Sequence, residues 1–137
     1  MSPKDEQIAR LGPPDITLAG LQIWVHGRQF PDAHDYWDGN WLRVTAHCGG
    51  NGASVFVSGP FIHLGEIDRW LTAIQTLQQD LKGEAKLDCM ETELSVDLKF
   101  TSLGHIDMEV QITPDQFTQR HWFRFGIDQT YLAPLID

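Results

Sequence analysis

The sequence predicts a single α+β domain: a curved, mostly antiparallel sheet or half-barrel of about seven or eight strands, with one long amphipathic helix packed on it. Two observations predict this fold class. Apolar and polar residues alternate through most of the chain, which is typical of half-buried strands. Helical spacing interrupts the alternation over residues 66–81. Because the connections between strands are short, neighbouring strands are expected to pair antiparallel.

The first half of the domain contains two predicted hairpins. Residues 1–14 are polar, end in Gly12-Pro13-Pro14, and are predicted to form a loose arm that precedes a domain of residues 15–137. Strands over 16–18 and 21–25 flank a tight turn, and strands over 41–48 and 53–58 flank Asn51-Gly52. Asn-Gly favours a hairpin because both residues tolerate positive φ.

The central segment predicts the helix, from Glu66 to about Leu81, with Gly83 at its C-terminal stop. Its apolar stripe must lie on a sheet, because no second helix is available to cover it. The stripe consists of Ile67, Trp70, Leu71, Ile74, Leu77, Gln78 and Leu81. We expect Trp70 and Leu71 to be buried.

The second half returns to alternating strands and contains a hairpin with a defined register. Pairing Phe100 with Ile106 matches every apolar position of the two strands with an apolar position. The outer face then pairs Lys99 with Asp107 and Asp97 with Glu109. With Glu91 and Glu93 on the same face, the pattern predicts an acidic stripe. This stripe is either a solvated sheet face or a docking surface for a basic partner.

The loop before the strand at Trp41 holds the densest polar cluster of the chain. Its members are Asp32, His34, Asp35, Asp38 and Asn40. Such residues form hydrogen bonds to their own backbone in turns, hold divalent cations or contact partner proteins. The spacing of these five residues does not match that of an EF-hand loop. Trp37 and Trp41 lie beside this cluster in the sequence. Tryptophan side chains are common contact residues at protein interfaces, and they equally fill the ends of barrels.

Composition excludes several functional classes. The 19 acidic residues against 10 basic ones give a net charge of −9, which argues against binding nucleic acid or an anionic membrane surface. No apolar stretch of the sequence is long enough for a signal peptide or a membrane span, so we expect a cytoplasmic protein. Cys48 and Cys89 are predicted to be buried free thiols.

Motifs for known chemistry do not occur in the sequence. The glycine-rich segment Gly49-Gly50-Asn51-Gly52 is not followed by the Lys and Ser/Thr of a phosphate-binding loop. The sequence also contains neither a nucleophile elbow nor residues at zinc-ligand spacing. The six histidines are scattered singly, so His26, His34 and His47 can converge only through the fold. We therefore predict no catalytic residue, no cofactor and no metal.

One stretch of sequence resembles a known family. Gln29-Phe30-Pro31, followed by Asp38-Gly39-Asn40-Trp41-Leu42, is similar to the aromatic-Pro pair and Asp-x-Asn-Trp-Leu turn of the bacterial family that includes WapI-type immunity proteins. The closing strand with Phe123, Phe125 and Asp128 fits the same order of elements. The resemblance implies a non-enzymatic protein, an antidote that binds a toxin domain, and it supplies no site residues.

Three hypotheses for function follow. The first is an acidic binding protein that blocks a basic partner such as a toxin domain. Its contact residues would be Asp35, Trp37, Asp38, Trp41, Glu91, Glu93, Asp97, Asp107 and Glu109. The second is a small-ligand-binding or enzymatic domain with a sheet-end pocket lined by Trp24, Trp37 and Trp41. The third is a domain that self-associates as a homodimer through an edge strand.

Overall fold

Eight strands and a 17-residue helix account for most of the described chain. The computed structural model describes residues 8–29, 31–32, 39–91, 93–102 and 104–136. The strands are β1 (Ile16–Leu18), β2 (Leu21–Arg28), β3 (Trp41–Gly50), β4 (Ala53–His63), β5 (Glu84–Asp88), β6 (Leu94–Phe100), β7 (His105–Ile112) and β8 (Trp122–Asp128). The helical segments after β4 are α1 (Leu64–Asp80), a 3-10 turn (Gln129–Tyr131) and α2 (Ala133–Ile136), and residues 8–11 are also helical.

The strands form two sheets, each antiparallel and each paired in chain order. β1 to β4 form the N-terminal sheet, and β5 to β8 form the C-terminal sheet. The expectation of one curved sheet or half-barrel is therefore wrong, although the α+β class and the antiparallel pairing are confirmed. The physical reason is the insertion of α1: it begins directly after β4, and the chain that leaves it pairs forward with β6 rather than back with β4.

Both sheets contribute to one hydrophobic core. The inward positions of β2 and β3, among them Ile23, Ala46 and Cys48, join those of β6 and β7, among them Val96 and Met108. β3 contacts β7 and β8 between the sheets. At the turn between β1 and β2 the two sheets approach so closely that a Cβ on Gly20 would lie 2.7 Å from the ring of Phe125 in β8.

The helix α1 covers the edge of the C-terminal sheet at β5. Ile67, Trp70, Ile74 and Leu77 are buried, which confirms most of the predicted stripe, and Leu71 is half-buried against the core. Leu81 differs from the expectation, because it lies outside the helix and is 51% exposed. Its backbone adopts a left-handed cap, with φ of 54°, and its N–H donates to Leu77 O at 2.9 Å.

The start of α1 is fixed by a capping box that contains a buried carboxylate. The side chain of His63 accepts from Gly65 N–H at 3.1 Å. Glu66 Oε1 accepts from His63 N–H at 2.7 Å, and Glu66 Oε2 accepts from Met90 N–H at 2.6 Å. One side chain therefore joins the end of β4, the first turn of α1 and the segment between β5 and β6.

Replacement of Trp70 by alanine is expected to lower the free energy of unfolding by about 3–5 kcal/mol, because the fully buried ring leaves a cavity beside β5. Trp70 Nε1 is buried with no partner among the described residues. Trp70→Phe therefore removes an unpaired N–H and is expected to cost only about 1–2 kcal/mol. Urea unfolding of the two variants measures both values, and equal losses would contradict this assignment of the cavity.

Replacement of Glu66 by alanine is expected to lower the free energy of unfolding by about 3 kcal/mol, because the buried N–H of His63 and the partly buried N–H of Met90 lose a charged acceptor. Glu66→Gln keeps one acceptor oxygen, so we expect about half of that loss. Thermal and urea unfolding check the order of the two variants. A Glu66→Ala protein as stable as the unaltered chain would show that the carboxylate contributes nothing.

Candidate functional site

The outer face of the C-terminal sheet carries a row of charged side chains across all four strands. The register of β6 with β7 is the predicted one, with Asp97 opposite Glu109 and Lys99 opposite Asp107. β5 places Lys86 beside Asp97, and β8 places Arg124 beside Glu109. The two acids of this row therefore lie between two bases, an arrangement that only the pairing of all four strands creates.

A cleft of about 490 Å³ opens on this face. It is lined by Asp97, Lys99, Asp107, Met108, Glu109, Arg124, Phe125 and Gly126. Arg124 Nε lies 3.4 Å from Glu109 Oε2, and its guanidinium lies 4.9 Å from the ring centroid of Trp122. We call this face, with its cleft, the acidic face: three carboxylates line the cleft, against two bases.

Asp97 is the carboxylate of the cleft with the most unusual environment. Its Oδ1 atom is buried and has no hydrogen-bond partner in the described part of the chain. Partial burial raises the pKa of Asp97, and Glu84 and Glu109 raise it further, while Lys86 and Lys99 act in the opposite direction. The ionised carboxylate is thus less well solvated than an ordinary surface aspartate, and a cation entering the cleft would stabilise it.

The predicted contact residues separate into three groups. Asp97, Asp107 and Glu109 line the cleft of the acidic face. Glu91 lines a second cleft, of about 380 Å³, and Glu93 is half-buried at the start of β6, with a buried Oε2 that has no partner among the described residues. Trp41 lies on the other sheet, half-buried, with its ring 5.3 Å from that of His63. Asp35, Trp37 and Asp38 lie outside the described residues.

Trp24 does not line the predicted sheet-end pocket. Trp24 is 2% exposed, and its indole N–H donates to Gly12 O at 2.9 Å, so the segment before β1 covers the ring. Residues 8–11 of that segment are helical. Because Trp24 is already covered by the chain itself, it is not open to a ligand.

The outer face of the N-terminal sheet carries a polar cluster that the sequence analysis did not identify. His47 Nε2 lies 2.7 Å from Ser54 Oγ, and His47 Nδ1 lies 3.0 Å from Gln22 Oε1. Beside it, Thr45 Oγ1 lies 2.8 Å from both His26 Nε2 and Ser58 Oγ. The sequence signal for this cluster was the alternation of polar residues along β2, β3 and β4. The partner of each side chain, however, depends on the register of all three strands.

This cluster is a set of cross-strand hydrogen bonds rather than a built nucleophilic site. A serine beside an imidazole resembles a nucleophile and its base. On the Nδ1 side, the imidazole contacts the amide of Gln22, which is an uncharged group. His47 is 4% exposed, with its ring 4.3 Å from that of Phe56, and its hydrogen bonds join the three strands.

Among the described ranges, no three His, Cys, Asp or Glu side chains are arranged to hold a metal ion. In the same part of the chain, every helix is too short or too polar to cross a membrane. The expectation that no metal is bound stays a prediction.

The two cysteines are free, with Cys48 buried and Cys89 half-buried. Burial raises the pKa of Cys48 to about 12. Burial, followed by the negative charges of Glu66, Asp88 and Glu93, raises the pKa of Cys89 to about 12. Because the thiolate is the nucleophile, neither sulfur is activated at neutral pH.

We therefore expect the folded protein to react slowly with a thiol reagent such as Ellman's reagent at pH 8, and the unfolded protein to show both thiols at once. The Cys48→Ser and Cys89→Ser variants show which sulfur reacts. Rapid modification of either cysteine in the folded protein would contradict the raised pKa of that thiol.

One comparison with known proteins gives a match. The model of the Immunity protein WapI-like family matches residues 14–137, nearly the whole chain, which confirms the resemblance in the sequence. Neither the curated proteins nor the solved structures give a match.

Proposed function

We propose, from the premise that the chain belongs to the WapI-like immunity protein family, that it is a toxin-neutralising antidote. In this proposal the protein binds a toxin domain in a one-to-one complex and blocks it without chemistry of its own. The single observation that carries the proposal is the family match over residues 14–137. The unactivated thiols and the uncharged amide beside His47 Nδ1 support binding rather than catalysis.

We assign the contact with the toxin domain to the acidic face. Its cleft is concave, and Asp97, Asp107 and Glu109 line it within a chain of net charge −9. Complementary charge accelerates association with a basic protein, since the field of the whole molecule attracts the partner before contact. The toxin domain is therefore proposed to be basic where it meets this face.

A lysine or arginine of the toxin would find a prepared environment in the cleft. Asp97 and Glu109 are directly opposite each other, and like charges at such a position repel. Asp97 Oδ1 is buried and accepts no hydrogen bond from the described residues, and Arg124 already engages Glu109 from one side. A cation between the two carboxylates would remove their repulsion.

The experiment that tests this function first searches the neighbouring genes for a toxin domain and then measures whether this protein neutralises it. Co-expression is expected to restore growth, and titration calorimetry is expected to give one-to-one binding. Asp97→Asn with Glu109→Gln should weaken binding at least about tenfold, because it removes two charges from the contact. Asp68→Asn on the exposed face of α1 is the matched control, with little expected effect. Unchanged binding of the double variant would move the contact elsewhere, and no binding to the unaltered protein would refute the antidote role for that toxin.

The same aspartate gives a prediction for stability that separates binding from folding. The pKa of Asp97 is raised in the folded protein, so the folded chain holds this proton more strongly than the unfolded chain. The stability that the proton contributes is present at low pH and is lost as pH rises from the ordinary value of 3.8 through the raised value. Asp97→Asn is therefore expected to melt at the same temperature as the unaltered protein, or higher, at pH 7.

Melting curves at pH 7 and pH 3 check this expectation, and any difference at pH 7 should shrink at pH 3, where the carboxyl is neutral. Asp107→Asn is the comparison, because Asp107 is exposed and has His105 Nε2 at 3.3 Å. A clear fall in the melting temperature of Asp97→Asn at pH 7 would mean that Asp97 stabilises the fold as an anion.

A further inference from the structure

The two sheets have four edges, and three of them are protected against further pairing. β1 has only three residues and contacts α2, and β5 is covered by α1. β4 contains Pro60, which has no N–H, next to a shift in register at Gly59, whose φ is 153°. Short edges, prolines, bulges and covering helices are the devices that prevent strands from pairing with other chains.

The fourth edge, β8, has none of these devices among the residues that the structure describes. It runs for seven residues in unbroken register with β7 and contains no proline. In the described part of the chain, β8 pairs with β7 alone. Such an edge is a template for the addition of a strand.

The direction of the backbone groups of β8 follows from one hydrogen bond. Ile112 N–H donates to His121 O, so His121, Phe123, Phe125 and Ile127 are the residues that bond to β7. N–H groups alternate in direction along an antiparallel strand. The backbone groups of Trp122, Arg124 and Gly126 therefore point to the open edge.

The side chains of β8 define what could lie beside it. Phe123 and Phe125 face the core, half-buried, with their rings stacked 6.4 Å apart, so a neighbouring strand needs apolar residues on that side. On the outer side, Trp122 is 53% exposed and Arg124 is exposed beside it. Within the sheet, Arg124 is opposite the carboxylate of Glu109. The other side of the same guanidinium can pair with a second carboxylate.

The start of this edge differs in charge from the acidic face, whereas its far end is Asp128. A cleft of about 470 Å³ separates the start of β8 from the start of β4. Its lining is Ala53, Ser54, Val55, Arg120, His121, Trp122 and Phe123, with no acidic residue. An acidic side chain near the start of β8 would therefore meet Arg120 and Arg124 rather than another acid.

We propose that β8 accepts an extended segment of a partner protein as a fifth strand of the C-terminal sheet. The segment alternates apolar residues, which face Phe123 and Phe125, with acidic residues, one of which lies opposite Arg124. Backbone hydrogen bonds to Trp122, Arg124 and Gly126 hold it, and the alternation selects it. This edge is independent of the neutralisation proposed above and retains its role if that function fails.

The test uses a labelled peptide with the sequence of residues 105–112, which has the required alternation of Ile106, Met108 and Val110 with Asp107 and Glu109. Fluorescence anisotropy is expected to show binding, and hydrogen exchange is expected to slow at residues 122, 124 and 126. Gly126→Pro removes one N–H from the open edge without removing a bond to β7, and should weaken binding about tenfold or more. Gly126→Ala is the matched control, since it adds the same Cβ near the ring of His105 and keeps the N–H.

A charge exchange keeps the proposal testable if the proline variant does not fold. Arg124→Glu should weaken binding of the peptide. A peptide with lysine at both acidic positions should bind this variant more tightly than the original peptide does. Equal binding to Gly126→Pro and Gly126→Ala would overturn the proposal. So would a dimer of the peptide-free protein, measured by light scattering, that Gly126→Pro dissociates, because the occupant would then be a second copy.

Discussion

The carboxylate of Glu66 holds the two halves of this molecule in place. α1 connects the sheets, and it begins at the last residue of β4. Glu66 accepts hydrogen bonds from His63 N–H at that point and from Met90 N–H beyond β5. A charged acceptor buried among apolar residues is tolerated because backbone donors and the helix N-terminus compensate it. The orientation of α1, and with it the burial of Trp70 against β5, depends on this connection.

The pairing of β5 to β8 decides the character of the surface. A hairpin of β6 and β7 alone has an acidic outer face, whereas the full sheet adds Lys86 on one side and Arg124 on the other. As a result, Arg124 engages Glu109, while Asp97 keeps a buried oxygen that has no donor in the described part of the chain. A basic partner would complete this arrangement, so the assignment of the proposed contact to this face rests on electrostatics.

The acidic face and the open edge meet at β8 and have complementary chemistry. Arg124 lines the cleft of the acidic face, and its backbone also points to the edge. A partner that contacts the face with basic side chains could place an acidic extended segment along the edge, so that both contacts contribute to specificity. The outer face of the N-terminal sheet is different, because its polar side chains already pair with one another across three strands.

The sequence by itself determined the local structure. The strands, the helix, the Asn51-Gly52 hairpin and the register of β6 with β7 all follow from periodicity and turn chemistry, and these depend on near neighbours. Asp97, Asp107 and Glu109 could be grouped because one hairpin carries them. Only the tertiary structure decided that the strands form two sheets, that Trp24 is covered by the segment before β1, and that Lys86 and Arg124 flank the acids. These features join residues far apart in the chain, and alternation specifies which side of a strand is buried but not which strand lies beside it.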